Sequence, residues 1–63
     1  MRIVIAVVTP DFEGKYPWKN GDPLLLLGEV ENAPDHVAVA DKAGRVHWIF
    51  DRDSFREATE DEI

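Results

Sequence analysis

Few side chains in this chain of 63 residues could carry out covalent chemistry. It contains no cysteine and one serine, Ser54, so a nucleophilic triad would need Ser54, a histidine and a carboxylate. Ser54 follows Asp53 in a polar corner, where capping of a helical turn is the commoner role of a serine. The sequence therefore predicts no catalytic residue, and we expect the protein not to be an enzyme.

The imidazoles of His36 and His47 are the best candidates for metal ligands. A hairpin could bring them to one face near Asp35 or Asp41, but such a set would bind zinc only weakly. The two histidines do not have the HxH or HxxxH spacing of a metal motif. The glycines are isolated at turns and form no phosphate-binding loop. We predict no metal site and no cofactor.

Acidic residues dominate the charge, with 13 Asp and Glu against 7 Lys and Arg and a net charge of −6. Nonspecific binding of nucleic acid depends on clustered basic side chains, which are scattered here among carboxylates. We therefore predict no direct binding of nucleic acid. The acidic side chains either keep a small protein soluble or meet a partner with a basic face.

The aromatic side chains suit binding better than chemistry, because such residues contribute much of the energy of protein interfaces. A domain of this size cannot easily bury all of them together with its aliphatic residues. We predict an exposed binding patch of Tyr16 and Trp18, from the irregular stretch 9–23, with Trp48 and Phe50 from a strand. The alternative is that the aromatic residues of the irregular stretch cap the core.

A β-hairpin is the element most clearly predicted to position these residues. Its strands cover residues 36–40 and 45–50, and the turn between them begins with Asp41 and ends with Gly44, as a type I turn prefers. We assign Asp41 and Gly44 a structural role in this turn. Two registers are open, because a shift by one residue moves every side chain to the opposite face.

The two registers differ in the residues that share a face with Val37 and Val39. An even loop places Trp48 on that face, whereas a bulge at Gly44 replaces Trp48 by Ile49 and turns Trp48 to the other side. In either case neither face is cleanly polar. One face should pack in the core and the other against a loop or a partner.

Further segments complete a single mostly β domain over residues 1–63. The sequence predicts strands at 2–8 and 24–30, with a kink or bulge at Gly28, a turn at 31–35 and one helical turn within 51–57. We expect residues 58–63 to fray, or Ile63 to close a last short strand.

The opening apolar segment resembles the core of a short signal peptide, but Asp11 and Glu13 follow where a cleavage site should lie. No segment approaches the roughly 20 apolar residues that span a bilayer. We therefore predict a cytoplasmic protein without membrane contact.

The order of these elements resembles that of SH3-like small β-barrels, including small barrels encoded by phages and mobile elements. The resemblance is carried by residues 20–24, NGDPL, and by residues 46–55, VHWIFDRDSF. It implies an antiparallel SH3-like barrel with a short 3₁₀ turn near the C-terminus. The Ala-Leu-Tyr-Asp-Tyr motif and the tandem tryptophan of SH3 domains are missing, and Phe50 replaces the proline of their Pro-x-x-Tyr corner, so polyproline binding is not implied.

Two functions of different classes fit these features. The first is a non-catalytic protein–protein interaction module whose partner is a host or cognate protein or, as a homodimer, a second copy of the chain. The second is a small acidic inhibitor that mimics nucleic-acid charge towards a host nucleic-acid-binding enzyme. Salt-sensitive binding would favour the second function.

Overall fold

The structure, a computed structural model, describes residues 1–51 and 53–62. Within these residues the strands are β1 (Arg2–Ala6), β2 (Pro23–Val30), β3 (Ala33–Ala40), β4 (Val46–Phe50) and β5 (Phe55–Glu57). Short 3₁₀ helices cover Pro10–Phe12 and Glu60–Glu62. The strands form one open antiparallel sheet in the order β4-β3-β2-β1-β5, with β4 and β5 at its edges. The prediction of a mostly β domain is confirmed.

Strand β1 lies between β2 and β5 and is buried on both faces over its second half. Val4 and Ala6 belong to the core, whereas Ile5 alternates with them and pairs with Pro23 and Arg56 on the other face. Ile5 is nevertheless only 3% exposed. Burial on both faces explains why this strand is a continuous apolar run rather than an alternating one.

Strand β1 ends at Ala6, two residues earlier than predicted, because its continuation bonds to loops. The amide of Val7 donates to the carbonyl of Ser54 over 3.0 Å, and the amide of Val8 donates to Oδ1 of Asn20 over 2.9 Å. These bonds replace the hydrogen bonds between paired strands. They hold the segment before β5 and the loop before β2 against the sheet.

The predicted irregularity in β2 is confirmed at Gly28. The pairing of β2 with β3 shifts between Leu26 and Gly28, and Gly28 has φ +152°. That conformation is strained for residues with a Cβ, so glycine allows the bulge.

The turn predicted over residues 31–35 is shorter than expected. Glu31 and Asn32 alone form it, and β3 begins at Ala33. Asn32 has φ +66°, a left-handed conformation that asparagine tolerates better than most residues. As a result, Pro34 and Asp35 lie within β3 rather than in the turn.

The β3–β4 hairpin adopts the bulge register of the two predicted ones. Val37 pairs with Ile49 and Ala38 with Trp48. The amide of Gly44 donates to the carbonyl of Asp41 over 3.0 Å, and Gly44 has φ +81°, as a type I turn followed by a glycine bulge requires. Trp48 therefore lies on the face opposite the core.

Replacing Gly44 by valine should lower the free energy of unfolding by about 1–2 kcal/mol, because a β-branched residue is strained at positive φ. Apart from its chain neighbours, no atom of residues 1–51 and 53–62 lies within 4 Å of the position that a Cβ would take at Gly44, so the cost comes from the backbone conformation rather than from tertiary crowding. Urea denaturation measures it. Gly44→Asn is the matched control, because asparagine tolerates this conformation. Equal losses in the two variants would contradict the assignment.

The helical turn predicted within residues 51–57 is wrong. Phe55–Glu57 instead forms β5, in which Phe55 pairs with Ala6 and Glu57 with Val4. The open edge of β1 offers this short segment a full set of ladder hydrogen bonds, whereas one isolated helical turn is costly to nucleate. Ile63, predicted to close a last strand, lies outside the described residues.

The C-terminal 3₁₀ turn is attached to β5 by an ion pair. The two terminal guanidinium nitrogens of Arg56 donate to the carboxylate of Glu62, over 2.7 and 2.8 Å. The amide of Thr59 also donates to Glu62, over 3.0 Å. Arg56 first and then Thr59 lower the pKa of Glu62 from 4.5 to about 2.

The Arg56–Glu62 contact should make stability depend on pH in the acidic range. The pKa of Glu62 is lowered by folding, so its contribution is complete above about pH 4.5 and is lost as the pH falls towards 2. Glu62→Gln should lower the melting temperature at neutral pH, and the difference from wild type should vanish near pH 2. Glu60→Gln, in the same turn, is the control. A constant difference across this pH range would contradict the ion-pair origin.

Candidate functional site

The predicted aromatic patch is divided between the two faces of the sheet. Trp18 is only 6% exposed and belongs to the core, whereas Trp48 is 67% exposed on the opposite face. The register decides this, since Val39 pairs with His47 on the core side and Ala38 with Trp48 on the outer side. The expectation that Trp18 is exposed beside Trp48 is therefore wrong.

The loop between β1 and β2 is an ordered cap on the core. Tyr16 stacks on Trp18 with ring centroids 4.8 Å apart, and Phe12 stacks on Tyr16 at 6.2 Å. The rings of His47 and Trp18 are nearly perpendicular, with centroids 5.0 Å apart. The stack thus runs from the core, at Trp18, to the surface, where Phe12 is 40% exposed.

Backbone hydrogen bonds hold this loop in place. The amide of Gly21 donates to the carbonyl of Ala6, and the amide of Ala6 to the carbonyl of Asp22, both over 2.8 Å. The carboxylate of Asp22 accepts the amide of Lys19 over 2.9 Å. The alternative expectation, that loop aromatic residues cap the core, holds for Trp18.

A groove of about 450 Å³ opens between this loop and the end of β4. Its lining combines aromatic rings with carboxylates, and we call it the acidic groove. The lining residues are Val7, Thr9, Phe12, Tyr16, Asp35, Phe50, Asp51, Asp53 and Ser54. Of the predicted patch, the structure therefore brings Tyr16 and Phe50 together, but with Phe12 rather than with a tryptophan.

Among the residues that the structure describes, the charged side chains lining the acidic groove are all carboxylates. Asp35, Asp51 and Asp53 line it, and no lysine or arginine does among residues 1–51 and 53–62. The amide of Asp51 donates to the carbonyl of Asp35 over 2.9 Å, which joins the ends of β3 and β4 at this wall. Nζ of Lys15 lies 5.4 Å from the centroid of Phe12, an arrangement typical of cation–π contacts.

Sequence reasoning missed Phe12 and the aspartates of the groove. Asp35 and Asp51 continue the register that pairs His36 with Phe50. Their proximity follows once that register is known. The signal in the sequence that could have found these aspartates is Gly44, because a glycine bulge there selects this register.

Asp41 has the structural role predicted for it. Its Oδ1 accepts the amides of Ala43 and Arg45 over 2.9 and 3.0 Å, and its Oδ2 lies 2.7 Å from Nε2 of His47. The hydrogen bond from His47 is the main cause that lowers the pKa of Asp41. Since His47 also contacts Trp18, this carboxylate links the hairpin turn to the core.

The two histidines considered as metal ligands lie on opposite faces of the hairpin. His47 faces Trp18, whereas His36 packs on Phe50 with ring centroids 4.7 Å apart. Within the described part of the chain, no group of three or more potential ligands is arranged to hold a metal ion. Nor does any helix there have the length and apolar character needed to cross a membrane.

Comparison with known proteins identifies no relative of this chain. No family model matches it, and searches of curated proteins and of solved structures find no match. The acidic groove and the exposed residues of the sheet are therefore the features that point to a function.

Proposed function

We propose that the protein is a non-catalytic protein–protein interaction module whose acidic groove binds an extended basic segment of a partner protein. The observation that carries the proposal is the lining, which places exposed aromatic rings beside carboxylates. An arginine or lysine side chain can use both, by stacking on a ring and by donating charge-assisted hydrogen bonds.

The placement of the groove supports a binding role over a purely structural one. Phe12 and Phe50 are 40% and 49% exposed, and both line the groove. The residues come from the β1–β2 loop, the end of β4 and the segment before β5, which the sheet holds together. A rigid scaffold that presents a loop-lined groove is a common arrangement for binding sites.

We also propose that the sheet is a partly open SH3-like barrel of the phage or mobile-element kind, with β4 and β5 as its free edges. Its support is the strand order, with a long loop between β1 and β2 and a short β5 that returns to β1. We propose the cytoplasm as the compartment, because the opening segment 1–10, which resembles a signal core, contains β1, an inner strand of the sheet.

Titration with a short peptide of alternating arginine and alanine tests the groove, with a citrulline version of the same peptide as the uncharged control. The double variant Asp35→Asn with Asp53→Asn should weaken binding of the arginine peptide by about tenfold or more, since two charged contacts are lost. The control Glu60→Gln with Asp61→Asn makes the same change in net charge at residues that do not line the groove. It should change the dissociation constant by less than about twofold.

The same titration separates the acidic-mimic function from the groove. A mimic would use its whole negative surface, so both double variants would weaken binding equally and Phe12→Ala would have no effect. If instead the groove binds an arginine side chain of the peptide on its aromatic rings, Phe12→Ala weakens binding as well. Equal weakening by the two double variants would overturn the proposed function.

A further inference from the structure

The two edges of the sheet are protected very differently. At the β5 edge, Arg2 pairs with Glu57 over 2.6 Å and Arg56 with Glu62 over 2.7 Å. Strand β4, at the other edge, reads VHWIF and contains no Asp, Glu, Lys, Arg or proline. Charges and prolines are the usual means by which proteins keep edge strands from pairing with other chains. The β4 edge does not have them.

The hydrogen bonds at both ends of the hairpin show which backbone groups of β4 point outward. The amide of Asp41 donates to the carbonyl of Arg45, and the amide of Asp51 to the carbonyl of Asp35, both in the register of the β3–β4 pair. Hydrogen-bonded and non-hydrogen-bonded pairs alternate in an antiparallel ladder. The amides and carbonyls of the odd-numbered residues therefore face β3, and those of the even-numbered residues face away.

The outward-facing residues of β4 are also those with exposed apolar side chains. Val46 is 58% exposed, Trp48 67% and Phe50 49%. Their side chains lie on the outer face, away from the core residue Ile49. The edge thus presents open hydrogen-bonding groups next to a row of apolar side chains, the combination that strand addition uses.

We propose that β4 pairs antiparallel with β4 of a second copy of the chain, about a two-fold axis at Trp48. This register pairs all five residues of the strand, Val46–Phe50, with their counterparts. It places Trp48 opposite Trp48 and Val46 opposite Phe50, an aromatic pair and an aromatic–β-branched pair of the kind that stabilises sheets. The inference does not depend on the proposed binding function.

Charge complementarity selects this partner and this register. One residue beyond each end of the strand, Arg45 of one copy lies opposite Asp51 of the other, and the two-fold axis repeats the pair. Among residues 1–51 and 53–62, the ion pairs within one chain do not involve Arg45 or Asp51. A homodimer by this edge is isologous and closes on itself, so it does not continue into a filament.

Charge exchange tests the register. Sedimentation equilibrium should show a concentration-dependent dimer of the wild type between micromolar and millimolar protein. Arg45→Asp or Asp51→Arg alone should weaken dimerisation by about tenfold, because each creates two like-charge pairs. The double exchange should restore the dissociation constant to within about threefold. A double variant as weak as the single variants, or a wild type that stays monomeric, would overturn the proposal.

Amide hydrogen exchange tests the edge directly, without any substitution. In dilute protein, the amides of His47 and Ile49 should be protected and those of Val46, Trp48 and Phe50 should exchange rapidly. At concentrations where the dimer forms, the second group should become protected as well. Dimerisation that leaves these amides unprotected would show that the copies pack by their faces, which contradicts strand pairing.

Discussion

Trp18→Ala is expected to lower the free energy of unfolding by about 3–5 kcal/mol, the usual cost of removing a large buried aromatic side chain. Trp18 comes from a loop, yet it is 6% exposed and packs in the same core as the strands. Its ring stacks on Tyr16 and lies nearly perpendicular to the ring of His47, so its loss removes the cap of the core. A domain of 63 residues has a total stability of roughly 3–9 kcal/mol. The loss is therefore a large fraction of the total stability of the domain.

Urea denaturation in dilute protein measures this effect, with Trp48→Ala as the matched control. Trp48 is 67% exposed, so the same change there should alter stability by no more than about 0.5 kcal/mol. The contrast also separates stability from association, since only Trp48 lies at the β4 edge. Similar losses in the two variants would contradict the assignment of Trp18 to the core and Trp48 to the surface.

Ile49→Ala should give the second large loss, about 2–4 kcal/mol in the free energy of unfolding. Ile49 is 1% exposed and pairs with Val37 across the hairpin, in the cluster that also contains Val39. The cavity left by the removed methylene and methyl groups cannot collapse easily, because the surrounding residues belong to a rigid sheet.

Ile3→Ala is the control for Ile49→Ala, because it removes the same atoms from a strand position that is 41% exposed. We expect a loss below about 1 kcal/mol there. Equilibrium denaturation followed by circular dichroism compares the two variants. A larger loss at Ile3 than at Ile49 would place the core on the other face of the sheet.

Local signals in the sequence were sufficient for most of the strands. Runs of β-branched residues and the turn residues Asp41 and Gly44 act through the backbone conformations that they favour, and these depend little on distant parts of the chain. The hairpin register stayed open until the structure placed Gly44 at φ +81°, in the bulge that selects one of the two. That register then places Asp35 beside Asp51 in the acidic groove.

By itself, the sequence determined a small, acidic, mostly β chain with a kinked second strand and a central hairpin. Only the tertiary structure decided that Trp18 is buried while Trp48 is exposed. A strand can turn either of its faces to the core until its pairing register is fixed. It also made Phe55–Glu57 a strand rather than a helical turn. The physical reason is the same in both cases: hydrogen bonds and core space supplied by residues distant in sequence outweigh the weak local preferences of short segments.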